Sequence, residues 1–371
     1  MKIIIAPDSF KGTFSSLEAA RAMASGVLGR FPSAEVVEIP LADGGEGTLD
    51  VVLGGTGGER MTTSVSDPLG REIDADWALL PGGGALVEMA RSSGLGLLSP
   101  TERDPWSVGT FGLGQIIRAA LDRGIGSLAV TLGGSATVDG GAGMARALGW
   151  RFYDREGRLI DRDGGRVLGE ISRIDSTGAD KRLAGVEVRA LCDVTNPLLG
   201  KPGAARVFGP QKGADPDMVE RLEAGLANLA NRLKDDLGAD VADLPGAGAA
   251  GGLGAAVAAF LGGRLVSGIA YVLDTLNFDS HLRGADLVIS GEGSFDSQSM
   301  GGKAVSGVLE RAGAAGVPVA VVCGVSQHTD SSRLKVFSGA DLPPDLKPGG
   351  MVGLDGLAQL AAEATATLLK T

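Results

Sequence analysis

The residues of this chain that could perform chemistry stand in glycine-rich stretches, each directly after an apolar run. In PLADGGEGT, Asp43 and Glu46 lie among three glycines, and in GEGSFD, Glu292 and Asp296 repeat the pattern. A glycine loop ahead of a helix usually favours phosphate, but these carboxylates would repel one. We therefore expect them to face substrate hydroxyls or a cation. The alternative is structural, with Asp43 as a helix cap and Glu46 in the first turn.

Cationic side chains follow two other apolar runs. Lys11 in DSFKG precedes a helix start whose capping box is Ser15 and Glu18, and a lysine beside a helix N-terminus favours an anion. Asp193 comes directly after another run, in a loop that also carries basic and amide side chains, namely Lys201, Arg206, Gln211 and Lys212. A carboxylate beside several cations suits anion-processing chemistry. The alternative in both places is a solvated surface turn.

The best phosphate-binding candidate is GGSAT, from Gly133 to Thr137, which offers backbone N–H groups and two hydroxyls ahead of a helix. Asp139 stands at the entrance to that helix, and the alternative for this stretch is an Asx-type cap on a tightly packed glycine-rich helix. The stretch GAGAAGGLG holds a formal G-x-G-x-x-G, but no strand precedes it, so close helix packing is the better interpretation. A Walker A motif is excluded near Gly302, because Ser297 replaces a required glycine and Ala304 the metal-binding hydroxyl.

Composition restricts the classes of function and of binding partner that remain. With two histidines, a histidine-rich zinc site or a Ser-His-Asp triad has almost no material. The formal net charge of -11 argues against nucleic acid or an anionic membrane as a partner. Two distant cysteines and the absence of an evident signal peptide or long apolar span lead us to expect a cytoplasmic protein. A homo-oligomer is kept as an alternative to a monomer.

Six apolar runs alternate with helical patterns, which predicts an α/β fold with largely parallel strands. One predicted helix runs from about Asp215 to about Leu237, and the segment Met61 to Ala90 reads as an antiparallel meander. We expect two α/β domains. The first is discontinuous, with a largely parallel Rossmann- or flavodoxin-like sheet, and spans 1–65 plus 285–371. The second, 66–284, is a mixed α/β insertion.

Acid–glycine loops, phosphate-type loops and lysines with almost no histidine fit a small-molecule kinase that lacks a Walker A motif. The ordered motifs extend this interpretation: DSFKG, PLADGGEGT, GGSAT-x-DGG-x-GM, CDV-x-NPL-x-G, FGPQKGA, G-x-GAAGG-x-G and GEG-x-x-D-x-Q with a following GK. Together they resemble the bacterial glycerate kinase family of the first type, from Met1 to about Cys323. Two departures are Val138, where the family often has Asn, and the segment after about Ser326.

The resemblance implies ATP-dependent phosphorylation of D-glycerate to 2-phosphoglycerate, with ATP and Mg²⁺ and an active site between two domains. We expect Asp193, Lys11 and Lys212 to be catalytic and Asp296 to bind metal. The expected substrate-binding residues are Asp8, Ser9, Asp43, Glu46, Asn196, Gln211, Glu292 and Gln298. The expected ATP-binding residues are Gly133, Gly134, Ser135, Thr137 and Asp139. Alternatives are a kinase of this scaffold that forms 3-phosphoglycerate or uses a related hydroxy acid, and a non-catalytic protein that binds a small anion.

Overall fold

The computed structural model describes residues 1–296, 304–327 and 334–369. Gln298, together with Lys303 and His328, lies outside these described residues. The strands within them are β1 Lys2–Pro7, β2 Glu35–Glu38, β3 Glu59–Ser66, β4 Glu72–Leu80, β5 Gly84–Glu88, β6 Ser127–Thr131, β7 Arg151–Tyr153, β8 Arg173–Asp175, β9 Glu187–Leu191, β10 Arg264–Val266, β11 Leu287–Phe295, β12 Val319–Ser326 and β13 Leu334–Ser338.

The α-helices of the same residues are α1 Ser16–Arg30, α2 Thr48–Thr56, α3 Ala90–Ser93, α4 Phe111–Asp122, α5 Ala142–Ala147, α6 Ala204–Phe208, α7 Pro216–Leu237, α8 Ala249–Leu261, α9 Gly268–Thr275, α10 Phe278–Leu282, α11 Ala304–Ala314 and α12 Leu354–Leu369. Short 3-10 turns separate several of them. Among the described helices, none has the length and apolar character needed to cross a bilayer.

The chain divides into two compact units. The first unit comprises Met1–Asp43, Asp50–Thr56 and Ser267–Thr371, so it is built from both ends of the chain. The second unit comprises Gly44–Leu49 and Gly57–Val266. The acid–glycine loop that begins at Pro40 therefore passes from the first unit into the second.

The first unit contains a five-stranded sheet in the order β13-β12-β11-β1-β2, and every neighbouring pair is parallel. Ile3 of β1 lies beside Leu287 of β11 and Val36 of β2. The predicted parallel sheet is thus confirmed. Ser15 and Glu18 form the predicted capping box at the start of α1, and each side chain accepts the other residue's backbone N–H.

The second unit contains a six-stranded mixed sheet in the order β10-β9-β6-β5-β4-β3. Strands β10, β9, β6 and β5 are parallel, whereas β4 runs antiparallel to both β5 and β3. The predicted meander is confirmed as β3, β4 and β5. A separate antiparallel pair, β7 and β8, completes the sheets of this unit among the described residues.

Two helices of the second unit show how sequence sets local structure. Helix α7 begins at Pro216 with Asp215 as its N-cap and ends at Leu237, as the pattern predicts, and Gly238 caps it in the left-handed conformation. Helix α8 opens irregularly, because Ala250, Gly251 and Gly252 all have positive φ. A Cβ at Gly251 would overlap the Thr137 carbonyl, so glycine is required for this close approach and the packing interpretation holds.

Candidate functional site

In the first unit, the carboxyl ends of adjacent parallel strands bring three acids together. Asp8 follows β1, and its backbone N–H donates to the Gly291 carbonyl of β11 at 2.8 Å. Glu292 is the next residue of β11, and Asp43 follows β2. Function in parallel sheets gathers at these strand ends, where the sequence motifs place the acids.

Asp8 is 6% exposed, and its environment alters its acidity. Burial raises the pKa of Asp8 from 3.8 to about 7, and the Asp43 carboxylate contributes to the rise, as Glu292 does to a smaller extent. The Ser9 backbone N–H, 2.7 Å from Asp8 Oδ1, and the Lys11 ammonium oppose the rise. Asp8 therefore changes its protonation state near neutral pH, where it can donate or accept a hydrogen bond.

Lys11 lies at the solvent-exposed side of the acidic group. Its side chain is 71% exposed, and its Nζ is 3.8 Å from Asp43 Oδ2. An exposed pair at this distance contributes little to stability, so the ammonium can exchange its partner for an anionic ligand at low cost. Asp296 follows directly after β11 and is half-buried.

In the second unit, a buried lysine holds the glycine-rich loop Gly133–Thr137. Lys212 is 2% exposed, and its Nζ donates to Ser135 Oγ at 2.6 Å and to the Thr137 carbonyl at 2.7 Å. Burial lowers the pKa of Lys212 to about 7, and the Asp139 carboxylate acts in the opposite direction. Lys212 therefore lies against the loop inside the protein and is not in solvent.

The acid–glycine loop packs against this same loop. A Cβ at Gly133 would lie 2.6 Å from Gly45 Cα, and one at Gly134, where φ is +76°, would lie 2.7 Å from Glu46 Oε1. Glycine at Gly133 lets the two backbones approach so closely, and glycine at Gly134 adopts the left-handed conformation without strain. The structure thus brings the predicted residues Gly133, Gly134 and Glu46 together.

Asp139 stabilises the turn after the loop. Its carboxylate accepts hydrogen bonds from Thr110 N and Oγ1 and from the backbone N–H groups of Gly141 and Gly143, at 2.8–3.2 Å. Burial raises the pKa of Asp139, while these four donors favour its ionised form. Val138 beside it is fully buried, so the position noted above as a departure carries a residue of the hydrophobic core.

The predicted basic loop after β9 is only partly a cationic surface. Arg206 forms an ion pair with Glu220 of α7, with its Nη2 2.8 Å from Oε2. Asn196 Nδ2 donates to the Pro202 carbonyl at 2.7 Å and closes the loop. Gln211 is exposed, and Asp193 is half-buried two residues beyond the end of β9.

Glu88, at the carboxyl end of β5, is a buried acid that no sequence motif indicates. It is 1% exposed, and its Oε1 accepts the Leu49 N–H at 2.7 Å, while its Oε2 pairs with Arg91 Nε at 2.9 Å. Arg91 and Glu46 line one cavity of about 440 Å³. The feature of the sequence that could have indicated Glu88 is its position as an acid at the end of an apolar strand, but no glycine-rich loop follows it directly.

The fold and the loops define an α/β protein with a glycine-rich loop, Gly133–Thr137, that has no Walker A sequence. A family model described as the glycerate kinase family matches residues 3–347. The chain therefore belongs to the glycerate kinase family.

Individual relatives agree with this assignment. The chain is 45% identical to a protein named glycerate 2-kinase from Escherichia coli K12, over 87% of this chain and 85% of that one. It is 43% identical to a protein named glycerate kinase from Bacillus cereus, over 99% and 97%. A crystal structure of a Salmonella typhimurium LT2 protein, proposed to be glycerate kinase 2, superposes with a TM-score of 0.87 at 42% identity. That match covers 100% of this chain and 98% of the other.

Replacement of Gly133 by alanine should separate the two packed loops, because a Cβ there would lie 2.6 Å from backbone Gly45 Cα. We expect ATP-dependent turnover to fall about 10- to 100-fold, since small displacements of positioning groups are costly. The matched control is Gly126→Ala, because a Cβ at Gly126 would meet no described atom within 4 Å and the φ of this residue is not positive. Steady-state kinetics of both variants measure the effect, and equal turnover would contradict the role of the loop contact.

The stability of the chain should depend on Asp8 between about pH 4 and 7. The pKa of Asp8 is about 7 in the folded chain against 3.8 ordinarily, so the folded state binds more protons in that window. Its contribution to stability is therefore lost as pH rises from 3.8 through 7, by at most a few kcal/mol. Asp8→Asn removes this dependence, so its melting temperature should exceed that of wild type increasingly towards about pH 7.5. A difference that stays constant with pH would refute the assignment.

Proposed function

We propose that this protein transfers the γ-phosphoryl group of ATP to the 2-hydroxyl of D-glycerate and forms 2-phosphoglycerate and ADP. The observation that carries the proposal is the loop Gly133–Thr137, held by the Lys212 ammonium at 2.6 and 2.7 Å, in a member of the glycerate kinase family. Phosphoryl transfer depends mostly on oriented donors and on charge placed around the moving group. The E. coli relative, named glycerate 2-kinase, supports the choice of the 2-position.

The nucleotide phosphates are assigned to Gly133–Thr137. The loop offers backbone N–H groups and the Ser135 hydroxyl, whose orientation is set by its bond from Lys212. Thr137 Oγ1 is buried and has no hydrogen-bond partner among the residues described, which leaves its donor and acceptor capacity for a ligand or water. Lys212 acts by fixing the loop and by adding positive charge behind it.

Glycerate is assigned to the carboxylates and to Lys11. Asp8, Asp43 and Glu292 suit hydroxyl groups, and Lys11, 71% exposed, suits the glycerate carboxylate. Asn196, Gln211, Ser9 and Glu46 remain proposed contacts.

In the reaction, the 2-hydroxyl oxygen forms a bond to the γ-phosphorus while the bond from that phosphorus to the ADP oxygen breaks. The hydroxyl proton passes to the Asp193 carboxylate. The transition state is loose, so this base need not be strong.

Magnesium is proposed as part of the nucleotide substrate. No group of three or more histidine, cysteine, aspartate or glutamate side chains converges as a metal site within the described residues. Mg²⁺ takes most of its ligands from phosphate oxygens and water, so it needs only one or two protein carboxylates. Asp296 is the proposed protein carboxylate, and Mg²⁺ would offset the phosphate charge.

Purified protein with ATP and Mg²⁺ should form ADP only when D-glycerate is added, because the hydroxyl is the phosphoryl acceptor. The product is identified by NMR, since phosphorus couples to different carbon-bound protons in 2- and 3-phosphoglycerate. A 3-phosphoglycerate product would show that the acceptor is the 3-hydroxyl and would contradict the proposed position. Absence of turnover with glycerate and with a panel of small hydroxy acids would exclude the kinase function and favour a protein that only binds anions.

Asp193→Asn should lower kcat about 100-fold or more while the fold is retained, because the amide cannot accept the hydroxyl proton. The control is Asp243→Asn, which removes an exposed carboxylate elsewhere in the second unit. Single-turnover kinetics and circular dichroism of both variants make the comparison. Near-normal turnover of Asp193→Asn would remove this residue from the chemistry.

A further inference from the structure

Arg103 lies in a segment of the second unit that packs on the loop Gly133–Thr137, and no motif in the sequence points to it. It follows the 3-10 turn Pro100–Glu102 of the second unit and is half-buried. Its Nε is shielded from solvent and has no hydrogen-bond partner in the part of the chain that the structure describes. A buried N–H donor without a partner is costly, so this Nε requires an explanation.

The neighbouring acids do not provide that partner. Glu102 accepts from Arg71 Nη1 at 2.6 Å and from Ser99, and Asp104 Oδ1 accepts from the Trp106 backbone N–H at 3.0 Å. Both carboxylates beside Arg103 in the sequence are therefore engaged elsewhere. The side chain is not explained by an ion pair with either of them.

The segment around Arg103 packs directly on the loop. Leu98 and Val108, on either side of it, form a small buried cluster with Ala136. The backbone N–H of Ala136 donates to the Ser93 carbonyl at 2.9 Å, and that of Leu95 to the Gly134 carbonyl at 2.8 Å. The segment from Ser93 to Val108 therefore contacts the loop at Gly134 and at Ala136.

A second contact ties Arg103 to the residue that holds the loop. Gly213 has φ +101°, and a Cβ there would overlap the Arg103 carbonyl. Gly213 directly follows Lys212, whose ammonium donates to Ser135 and to Thr137. Arg103 and Lys212 therefore belong to adjoining segments that contact the same loop.

We propose that Arg103 binds a phosphate group of the nucleotide held by the loop. This inference rests on the proposed function and adds to it a residue that touches the substrate. Guanidinium presents several donors in a planar fork that matches phosphate oxygens, and the bound phosphate supplies the partner that Nε lacks among the described residues. A phosphate is favoured over a carboxylate because the neighbouring loop presents backbone N–H groups and hydroxyls.

The test uses the full chain and measures binding of ADP and of inorganic pyrophosphate by calorimetry. Arg103→Met keeps the length of the side chain and removes the charge, and it should weaken both ligands about 10- to 100-fold. Arg103→Lys keeps the charge without the fork and should fall between wild type and Arg103→Met. Arg155→Met is the control, because it removes the same charge from an exposed residue of the same unit and should leave affinity unchanged.

Thermal unfolding separates ligand binding from a structural role. The melting temperature of Arg103→Met without ligand should equal or exceed that of wild type, while its rise on addition of ADP should shrink. A large fall without ligand, or unchanged affinity for ADP and pyrophosphate, would overturn the inference. If wild type shows no glycerate-dependent turnover but its pyrophosphate affinity still depends on Arg103, the proposed function fails and the phosphate contact stands.

Discussion

The buried ammonium of Lys212 is the interaction on which the second unit's site depends. It bonds to one side chain and one carbonyl of the loop, Ser135 Oγ and Thr137 O, at 2.6 and 2.7 Å. Removal of a charge from water is expensive, and burial lowers the pKa of Lys212 to about 7 as a result. The buried carboxylate of Asp139 offsets part of that cost. A loop fixed in this way presents its donors without reorganisation, which is the property that electrostatic catalysis requires.

Close backbone contacts also fix the loop Gly133–Thr137. The backbone of Gly45 lies against Gly133, and Gly251 lies against the Thr137 carbonyl, so neither Gly133 nor Gly251 can be replaced without moving a backbone. Segment Ser93–Leu95 adds hydrogen bonds from another direction. The many glycines in these motifs therefore serve close packing of irregular backbone around one loop. The acid–glycine loop, whose carboxylates disfavour a bound phosphate, is one of the segments that pack on the loop Gly133–Thr137.

Much of the fold follows from local sequence patterns, whereas the partners of individual side chains do not. Apolar runs and caps predicted the parallel sheet, the meander and helix α7, because these features depend on neighbours in sequence. The pairing of Arg206 with Glu220 and the burial of Glu88 depend on which helices and strands meet. Glu88 and Arg103 lack a glycine-rich motif, so no local pattern distinguishes them from ordinary surface charges.

In both units, charged or titratable groups are shielded from water at a cost in free energy. Asp8 in the first unit and Lys212 in the second have pKa values displaced towards neutrality by burial, and Arg103 Nε is shielded without a partner among the described residues. The removal of these groups from water costs the free protein stability. Such costs are maintained where a ligand supplies the missing interaction, because that interaction then strengthens binding. Their presence at strand ends and beside the Gly133–Thr137 loop therefore argues for function more strongly than any single motif.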